Sequence, residues 1–179
     1  MKSITETNIK GVYEIEMFHL VDHRGAFVKP YHADTLKKWG LQSEYKESFY
    51  STNNKGVIRG MHYQNPPDAH EKIVYCSSGK LVDVILDIRK DSPTFGQVAE
   101  IELAADKFNA VYMPIGVAHG FKVIEDNTCM VYLTSTVHSP QSDAGVLWNS
   151  FDYDWKLENP ILSERDTLFD ALSEINSLF

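Results

Sequence analysis

Met113-Pro114-Ile115-Gly116-Val117-Ala118-His119-Gly120-Phe121 is the stretch of sequence that decides the fold. Its proline and its first glycine favour a turn, because proline fixes one backbone angle and glycine adopts conformations that other residues avoid. The apolar residues on both sides of the turn are typical of strands. We therefore expect two strands here, with His119 at the start of the second and its imidazole facing the interior.

Similar short segments, bounded by Gly, Pro, Asn or Asp, occupy most of the remaining chain. The glycine-containing segment Ser77–Lys80 is predicted to be a hairpin turn between two of them. Many short strands at this spacing predict an all-β sandwich, jelly roll or barrel. The predicted strands are Val12–Phe18, Ala26–His32, Tyr45–Ser51, Val57–Gln64, Lys72–Ser77, Lys80–Ile88, Gln97–Leu103, Ala110–Met113, Gly120–Ile124 and Met130–Val137.

Two short helices are predicted at the periphery. Asp34 is the candidate N-cap of one that runs to Trp39 and ends at Gly40. The other covers residues 166–178, where four apolar side chains fall on one helical stripe that would pack on the barrel or on a partner subunit. These side chains are Leu168, Leu172, Ile175 and Leu178.

Length and composition favour a single domain over residues 1–179, because 179 residues of which 43% are apolar can bury one sizeable core. The net charge of −8 argues against a nucleic-acid binder that relies on positive charge. Cys76 and Cys129 lie in apolar runs and predict no disulfide framework. With neither a signal peptide nor an apolar run long enough to span a membrane, we expect a cytoplasmic protein.

The densest group of chemically active residues lies in Gly56-Val57-Ile58-Arg59-Gly60-Met61-His62-Tyr63-Gln64. A regular strand would point Arg59 and His62 to opposite faces, since side chains alternate. Gly60 between them could form a bulge that brings both to one side. The alternative, an ordinary core histidine beside a surface arginine, stays open at this point.

Three further polar residues have both a chemical and a structural interpretation. Lys72 could stabilise an oxyanion or bind phosphate, or it could protect a strand edge. Tyr132 could be a reactive phenol or a core aromatic, and Asp166 could equally cap the last helix. For the polar residues in the strand 80–88, we favour a structural, solvated face with an ion pair over the alternative of a polar barrel lining that orients other groups. These residues are Asp83, Asp87 and Arg89.

The order of these motifs resembles the dTDP-4-dehydrorhamnose 3,5-epimerase family of the cupin superfamily, from about residue 5 to about residue 170. The resemblance rests on the two segments already quoted, which contain His62 and His119. Further matching segments are Asp22-His23-Arg24-Gly25-Ala26-Phe27, Asp83 to Arg89 followed by Ser92-Pro93-Thr94-Phe95-Gly96, and Leu162-Ser163-Glu164-Arg165-Asp166.

The resemblance implies a cupin jelly-roll barrel, a homodimer, and catalysis without a cofactor. No metal is expected either, because His62-Tyr63-Gln64 lacks the second histidine of the metal-binding cupin motif. The implied substrate is a nucleoside-diphosphate 4-keto-6-deoxy sugar of deoxysugar biosynthesis. Its C4 ketone acidifies the protons at C3 and C5, so that a base can form an enolate and a proton can return to the other face.

The resemblance also implies the roles of four catalytic residues. His62 would be the base, oriented by Asp166. Tyr132 would be the acid on the opposite face of the sugar, and Lys72 would hold the developing oxyanion at C4.

The implied substrate-binding residues fall into two groups. Arg59 and His119 would contact the sugar diphosphate from the same subunit. Arg24 and Phe27 would reach the phosphate and the base from the partner subunit.

This sequence departs from the family pattern where Glu47 and Phe49 replace Gln and Asn, where Lys29 replaces Glu, and where His70 precedes Lys72. Glu47 is therefore a candidate substrate-binding residue with altered specificity, its charge balanced by a cation such as Lys29. The departures leave open the sugar, the nucleotide and the carbons that are epimerised. A ketoisomerase, a non-catalytic nucleotide-sugar-binding cupin and a metal-dependent cupin are the alternatives.

Overall fold

A computed structural model describes residues 1–179. The strands are β1 (Ser3–Glu6), β2 (Tyr13–Glu16), β3 (Phe18–Asp22), β4 (Gly25–Lys29), β5 (Glu47–Asn53), β6 (Ile58–Gln64), β7 (Lys72–Ser78), β8 (Lys80–Asp87), β9 (Val98–Ala104), β10 (Asn109–Met113), β11 (Val117–Val123), β12 (Thr128–Thr134) and β13 (Asp143–Gly145). The helices are α1 (Ala33–Lys38) and a 3₁₀ helix (Arg165–Thr167). Neither helix has the length and hydropathy to cross a membrane.

The strands form two antiparallel sheets that pack face to face as a jelly-roll barrel. One sheet has six strands in the order β1-β2-β10-β7-β12-β5, and the other has five in the order β13-β6-β11-β8-β9. Strands β3 and β4 form a separate two-stranded ribbon. The prediction of an all-β barrel with short peripheral helices is confirmed.

The main core lies between the sheets and consists of 16 buried residues, contributed largely by β7 to β12. Every residue of β11 is buried, because the inner face meets this core and the outer face is covered. The cover includes Trp155 and the C-terminal side chains Leu172 and Ile175. A strand buried on both faces consists mostly of consecutive apolar residues, and this explains the apolar sequence around His119.

The predicted hairpin at Ser77–Lys80 is wrong. Strand β7 belongs to the six-stranded sheet and β8 to the five-stranded sheet, so the chain turns a corner between the sheets here. Gly79 has φ of +74°, and a Cβ on it would lie 2.4 Å from the hydroxyl oxygen of Thr128. A crowded corner with a positive φ requires glycine, and so does a hairpin turn. The sequence therefore could not distinguish a corner between sheets from a hairpin.

The predicted helix over residues 166–178 is also wrong, since only the 3₁₀ turn Arg165–Thr167 forms. Two hydrogen bonds instead join the backbone of this segment to the loop that follows β13. The amide of Leu147 donates to the carbonyl of Asp170 at 2.9 Å, and the amide of Leu172 donates to Ser150 Oγ at 2.9 Å. Tertiary contacts therefore outweigh the helical pattern.

The other predicted helix is confirmed with shifted bounds, because α1 begins at Ala33 and His32, rather than Asp34, occupies the N-cap position. Three short strands, β1, β3 and β13, were not predicted, and the predicted strand Val12–Phe18 contains β2 and only the first residue of β3. Strands of three to five residues carry too few positions for an alternating pattern to be read from sequence.

Candidate active site

A cavity of about 460 Å³ lies between the two sheets and collects most of the predicted site residues. Both sheets supply its walls, with β5, β7 and β12 on one side and β6, β11 and β13 on the other. Its charged and titratable lining residues are Glu47, Arg59, His62, Tyr63, His70, Lys72, His119, Tyr132, His138, Asp143 and Arg165.

The irregularity of β6 at Gly60 brings Arg59 and His62 to the same wall, as predicted. The pairing of β6 with β11 shifts register between His119 and Phe121, opposite Gly60. Gly60 has φ of +128°, and a Cβ on it would lie 2.5 Å from the Cα of Gly120. The backbone at this point can therefore accept only glycine.

Replacing Gly60 with alanine is expected to reduce the free energy of unfolding by about 2–6 kcal/mol, since backbone strain and overpacking each cost about 1–3 kcal/mol. Gly25→Ala is the matched control, because Gly25 has φ of +120° and open space around it. Gly25→Ala should lose only the part of the free energy of unfolding that comes from backbone strain. Urea unfolding of both variants measures the difference, and equal losses would contradict the close approach of β6 and β11.

The first pair of interacting side chains is His62 with Asp166. His62 Nε2 lies 2.9 Å from Asp166 Oδ1, and Asp166 Oδ2 accepts the amide of Gly60 at 3.1 Å. Burial acts to raise the pKa of Asp166, but these contacts outweigh it and lower the pKa to about 2. Asp166 therefore stays ionised. Burial lowers the pKa of His62, against the opposing effect of Asp166. A neutral imidazole held by a carboxylate is suited to accept a proton.

The interpretation of Asp166 as a helix cap is wrong, because its carboxylate is directed at β6. Arg165, its neighbour in the chain, also enters the site. Its Nη2 lies 2.7 Å from His62 Nε2, and its Nη1 donates to Asp143 Oδ2 at 2.6 Å.

Tyr132 lies on β12, in the sheet opposite His62. Its side chain is buried, and its hydroxyl is 3.4 Å from Ser51 Oγ. Burial raises its pKa well above the usual phenol value, so it carries its proton at neutral pH. The ring stacks on Phe49 with centroids 4.6 Å apart. A protonated phenol therefore faces the cavity across from the imidazole.

Asp83 fits the alternative interpretation of the strand 80–88, a polar lining that orients other groups, rather than the structural one that we favoured. Its Oδ1 lies 2.6 Å from Nε2 of His119, so it orients a cavity residue. Asp87 and Arg89 do form the expected structural ion pair, at 2.8 Å. A single carboxylate within the apolar run Leu81–Leu86 was the signal for this role, since a buried charge needs a specific partner.

Arg59 is anchored by Nε, which donates to Asn53 Oδ1 at 2.7 Å. Asn53 Nδ2 in turn donates to Ser51 Oγ at 3.1 Å, which connects Arg59 to the residue beside Tyr132. The two terminal nitrogens of the guanidinium make no hydrogen bond within the chain, so they remain available to an anion.

Lys72 extends into the cavity from β7, with Nζ 3.3 Å from the carbonyl oxygen of His62. Burial lowers the pKa of Lys72 to about 8, and the carboxylates of Asp143 and Asp83 oppose the shift. The ammonium form is therefore present at neutral pH and is lost as the pH rises through about 8.

The pH dependence of the reaction should reflect these two shifts. We expect kcat/KM to decline below the usual imidazole pKa of about 6.5 as His62 is protonated, and to decline again above pH 8 as Lys72 loses its charge. Lys72→Arg should remove the alkaline decline, since arginine remains charged. Rate measurements from acid to alkaline pH test this, and a wild-type rate that stays constant well above pH 8 would contradict it.

The residues that depart from the family pattern lie in different places. Glu47 and Phe49 line the cavity, and Glu47 Oε2 accepts the amide of His138 at 2.7 Å. Lys29 does not line it, and its Nζ lies over the Phe18 ring. Within one chain, therefore, Lys29 does not balance the charge of Glu47, and that expectation is wrong.

Arg24 and Phe27 also lie outside the cavity, in the β3–β4 ribbon. Phe27 is 58% exposed, and Arg24 forms an exposed ion pair with Asp22 at 2.6 Å. Four charged or imidazole-bearing residues of the cavity were not predicted as site residues, and these are His70, His138, Asp143 and Arg165. Two of them carried a signal: His70 departs from the family pattern, and Arg165 lies beside Asp166.

The family model of dTDP-4-dehydrorhamnose 3,5-epimerase matches residues 6–174 of the chain. The dTDP-4-dehydrorhamnose 3,5-epimerase of Shigella flexneri is 36% identical over 167 residues, which cover 92% of both chains. The dTDP-4-dehydrorhamnose 3-epimerase of Streptomyces niveus is 35% identical, over 92% of this chain and 80% of its own.

Among solved structures, that of dTDP-6-deoxy-D-glucose-3,5-epimerase from Legionella pneumophila in complex with dTDP-4-keto-L-rhamnose superposes with a TM-score of 0.92. The two sequences are 30% identical, and the match covers 97% of this chain and 94% of the other. Sequence and fold therefore agree over nearly the whole length, and the chain belongs to the dTDP-4-dehydrorhamnose 3,5-epimerase family.

Proposed function

We propose that this protein is an isomerase that epimerises a nucleoside-diphosphate 4-keto-6-deoxy sugar at C3, C5 or both, in deoxysugar biosynthesis. One observation carries the proposal. His62, whose imidazole pairs with Asp166, and Tyr132 lie on opposite sheets and line the same cavity. Inversion at carbon requires a base and an acid on opposite faces of the sugar ring, and a protein that only binds the sugar does not.

The proposed reaction needs only side chains of the chain. Neutral His62 removes the proton from a carbon beside the C4 ketone, and ionised Asp166 stabilises the imidazolium that results. The electron pair moves to the C4 oxygen, where Lys72 as an ammonium stabilises the enolate. Tyr132 then delivers a proton to the other face of the carbon. One C–H bond is broken and one is formed, and the turnover is complete when solvent takes the proton from His62 and returns one to Tyr132.

In the proposed complex Arg59 binds the diphosphate with its free guanidinium nitrogens, and His119 contacts the sugar in an orientation fixed by Asp83. We propose in addition that the protein is a homodimer, in which Arg24 and Phe27 of the ribbon complete the partner's site. The exposure of this apolar ribbon supports the proposal. Sedimentation at assay concentration measures the assembly.

Specificity is proposed to depend on Glu47 and Phe49. A glutamate in place of glutamine loses two donors and gains a charge that repels a diphosphate. Phe49 offers a flat apolar surface where an asparagine would form hydrogen bonds, and its stack on Tyr132 restricts the phenol. We therefore expect the usual dTDP-4-keto-6-deoxyglucose to be a poorer substrate than a sugar or nucleotide variant, or to be epimerised at one carbon only.

The test incubates the protein with dTDP-, CDP- and GDP-linked 4-keto-6-deoxy sugars in heavy water, while proton NMR records which carbon exchanges. Phe49→Asn should raise kcat/KM for the dTDP substrate by about tenfold, the value of one buried hydrogen bond. Tyr50→Asn is the control, because Tyr50 is the exposed neighbour in the same strand. Exchange in none of the substrates would refute the epimerase. Efficient double epimerisation of the dTDP sugar alone would show that the departures are neutral.

A further inference from the structure

The nitrogen Nε2 of His62 has two neighbours with opposite requirements. Asp166 Oδ1 lies 2.9 Å away and Arg165 Nη2 lies 2.7 Å away. An ionised carboxylate only accepts hydrogen bonds, and a guanidinium only donates them. Nε2 cannot satisfy both at once, because it either carries a proton or offers a lone pair.

The contact with Arg165 is therefore compatible with only one form of the imidazole. If Nε2 accepts from Arg165, the single proton of neutral His62 sits on Nδ1. Asp166 is not left isolated in this form, since Arg165 Nε lies 3.4 Å from its Oδ1. The guanidinium thus contacts both members of the pair and donates to each of them.

The position of the proton decides whether His62 can act as a base. Nδ1 forms no hydrogen bond within the chain and is not fully buried, so it is the nitrogen open to the cavity. With the proton on Nδ1, the exposed nitrogen has no lone pair to offer a substrate. With Nε2–H donating to Asp166, Nδ1 has its lone pair free and His62 can accept a proton.

We infer that Arg165 is a positioning residue that holds His62 in the inactive tautomer, and that the diphosphate of the substrate draws Arg165 away. The inference rests on the proposed function in taking a nucleoside diphosphate as the ligand.

Three features support the movement of Arg165. The Arg165 side chain is 51% exposed, it lines the cavity, and its Nη1 contacts Asp143, whose side chain is 23% exposed. A planar guanidinium pairs with phosphate through two parallel hydrogen bonds.

The arrangement couples binding to activation. A keto sugar without the diphosphate would meet a site whose exposed nitrogen is already protonated. A nucleotide sugar would remove the guanidinium from Nε2, so that the proton moves to the Asp166 side and the base forms only around the complete substrate. The enzyme would thus discriminate between nucleotide sugars and free keto sugars by assembling its base only around the former, rather than by contacts with the sugar.

Nitrogen NMR of protein labelled in its histidines tests the inference, because it reports which ring nitrogen of His62 carries the proton. His62→Asn identifies the signal. We expect Nδ1–H in the free protein, Nε2–H after addition of dTDP or inorganic pyrophosphate, and no change with thymidine. Arg165→Met should show Nε2–H without any ligand, whereas Lys37→Met, which removes an exposed charge on α1, should behave as the wild type.

Kinetics provide a second measurement. Arg165→Met should raise KM about tenfold or more, the loss expected for a charge-assisted hydrogen bond, while kcat at saturation stays within about twofold because the active tautomer forms without Arg165. Nε2–H in the free wild-type protein would overturn the inference even if Arg165→Met did not fold. A proton that stays on Nδ1 in the presence of dTDP would overturn it as well. Neither result would affect the epimerase proposal, which depends on carbon exchange.

Discussion

His62→Asn is expected to lower kcat by about 10²–10⁴-fold, the usual loss when a general base is removed. Asparagine keeps a donor near Asp166 but cannot accept a proton from carbon. Because His62 also contacts the buried Asp166 at 2.9 Å, folding must be checked by circular dichroism and thermal unfolding.

His32→Asn is the matched control, since His32 is an exposed histidine at the start of α1, outside the cavity. It should retain the wild-type rate. A folded His62→Asn protein with a rate near that of the wild type would remove His62 from the role of base, and His70 or His119 would be examined next as cavity histidines.

Tyr132→Phe is expected to separate proton removal from inversion. The variant keeps the ring and its stack on Phe49 but loses the hydroxyl that would deliver the proton. His62 can still remove and return a proton on its own face, so deuterium from heavy water should enter the substrate. Formation of the epimer should fall by about 10²–10⁴-fold.

Proton NMR of the reaction in heavy water measures both quantities in one sample. Tyr50→Phe is the control, because Tyr50 is an exposed tyrosine of the neighbouring strand β5. An unchanged yield of epimer in Tyr132→Phe would mean that water or another side chain supplies the proton.

The barrel could be predicted because its strands are long and buried. The run around His119 and the strand 80–88 consist mostly of apolar residues, with only isolated polar residues among them. Which strands share a sheet could not be predicted. The turn at Gly79 has the same local sequence requirement whether it joins two paired strands or two sheets.

The C-terminal segment could not be predicted either, and the reason is its hydrogen bonds. A stripe of leucines at helical spacing favours a helix, but Leu168 is 74% exposed and the amide of Leu172 donates to Ser150 Oγ. Partners that are distant in sequence leave no local signal. The same applies to Asp166, where the capping interpretation was as good from sequence alone as the catalytic one.

Within the candidate site, sequence reasoning identified the residues that differ from their surroundings. Arg59, His62 and Lys72 are charged or polar residues on strands, and they line the cavity as predicted. His138 and Asp143 sit in a loop and a short strand where polar residues are ordinary, so nothing in the sequence distinguished them. Their place in the cavity depends on the path of the chain between β12 and β13.

The separation of His62 and Asp166 along the chain has a consequence for synthesis. The two residues are 104 positions apart, and ribosomes add residues from the N-terminus, so β6 emerges long before its carboxylate. Until the last segment docks, His62 lacks Asp166, and the Trp155-containing cover over β11 is incomplete. The barrel can thus begin to form without a working base. Activity is acquired late, when the final part of the polypeptide closes against the outer face of the five-stranded sheet.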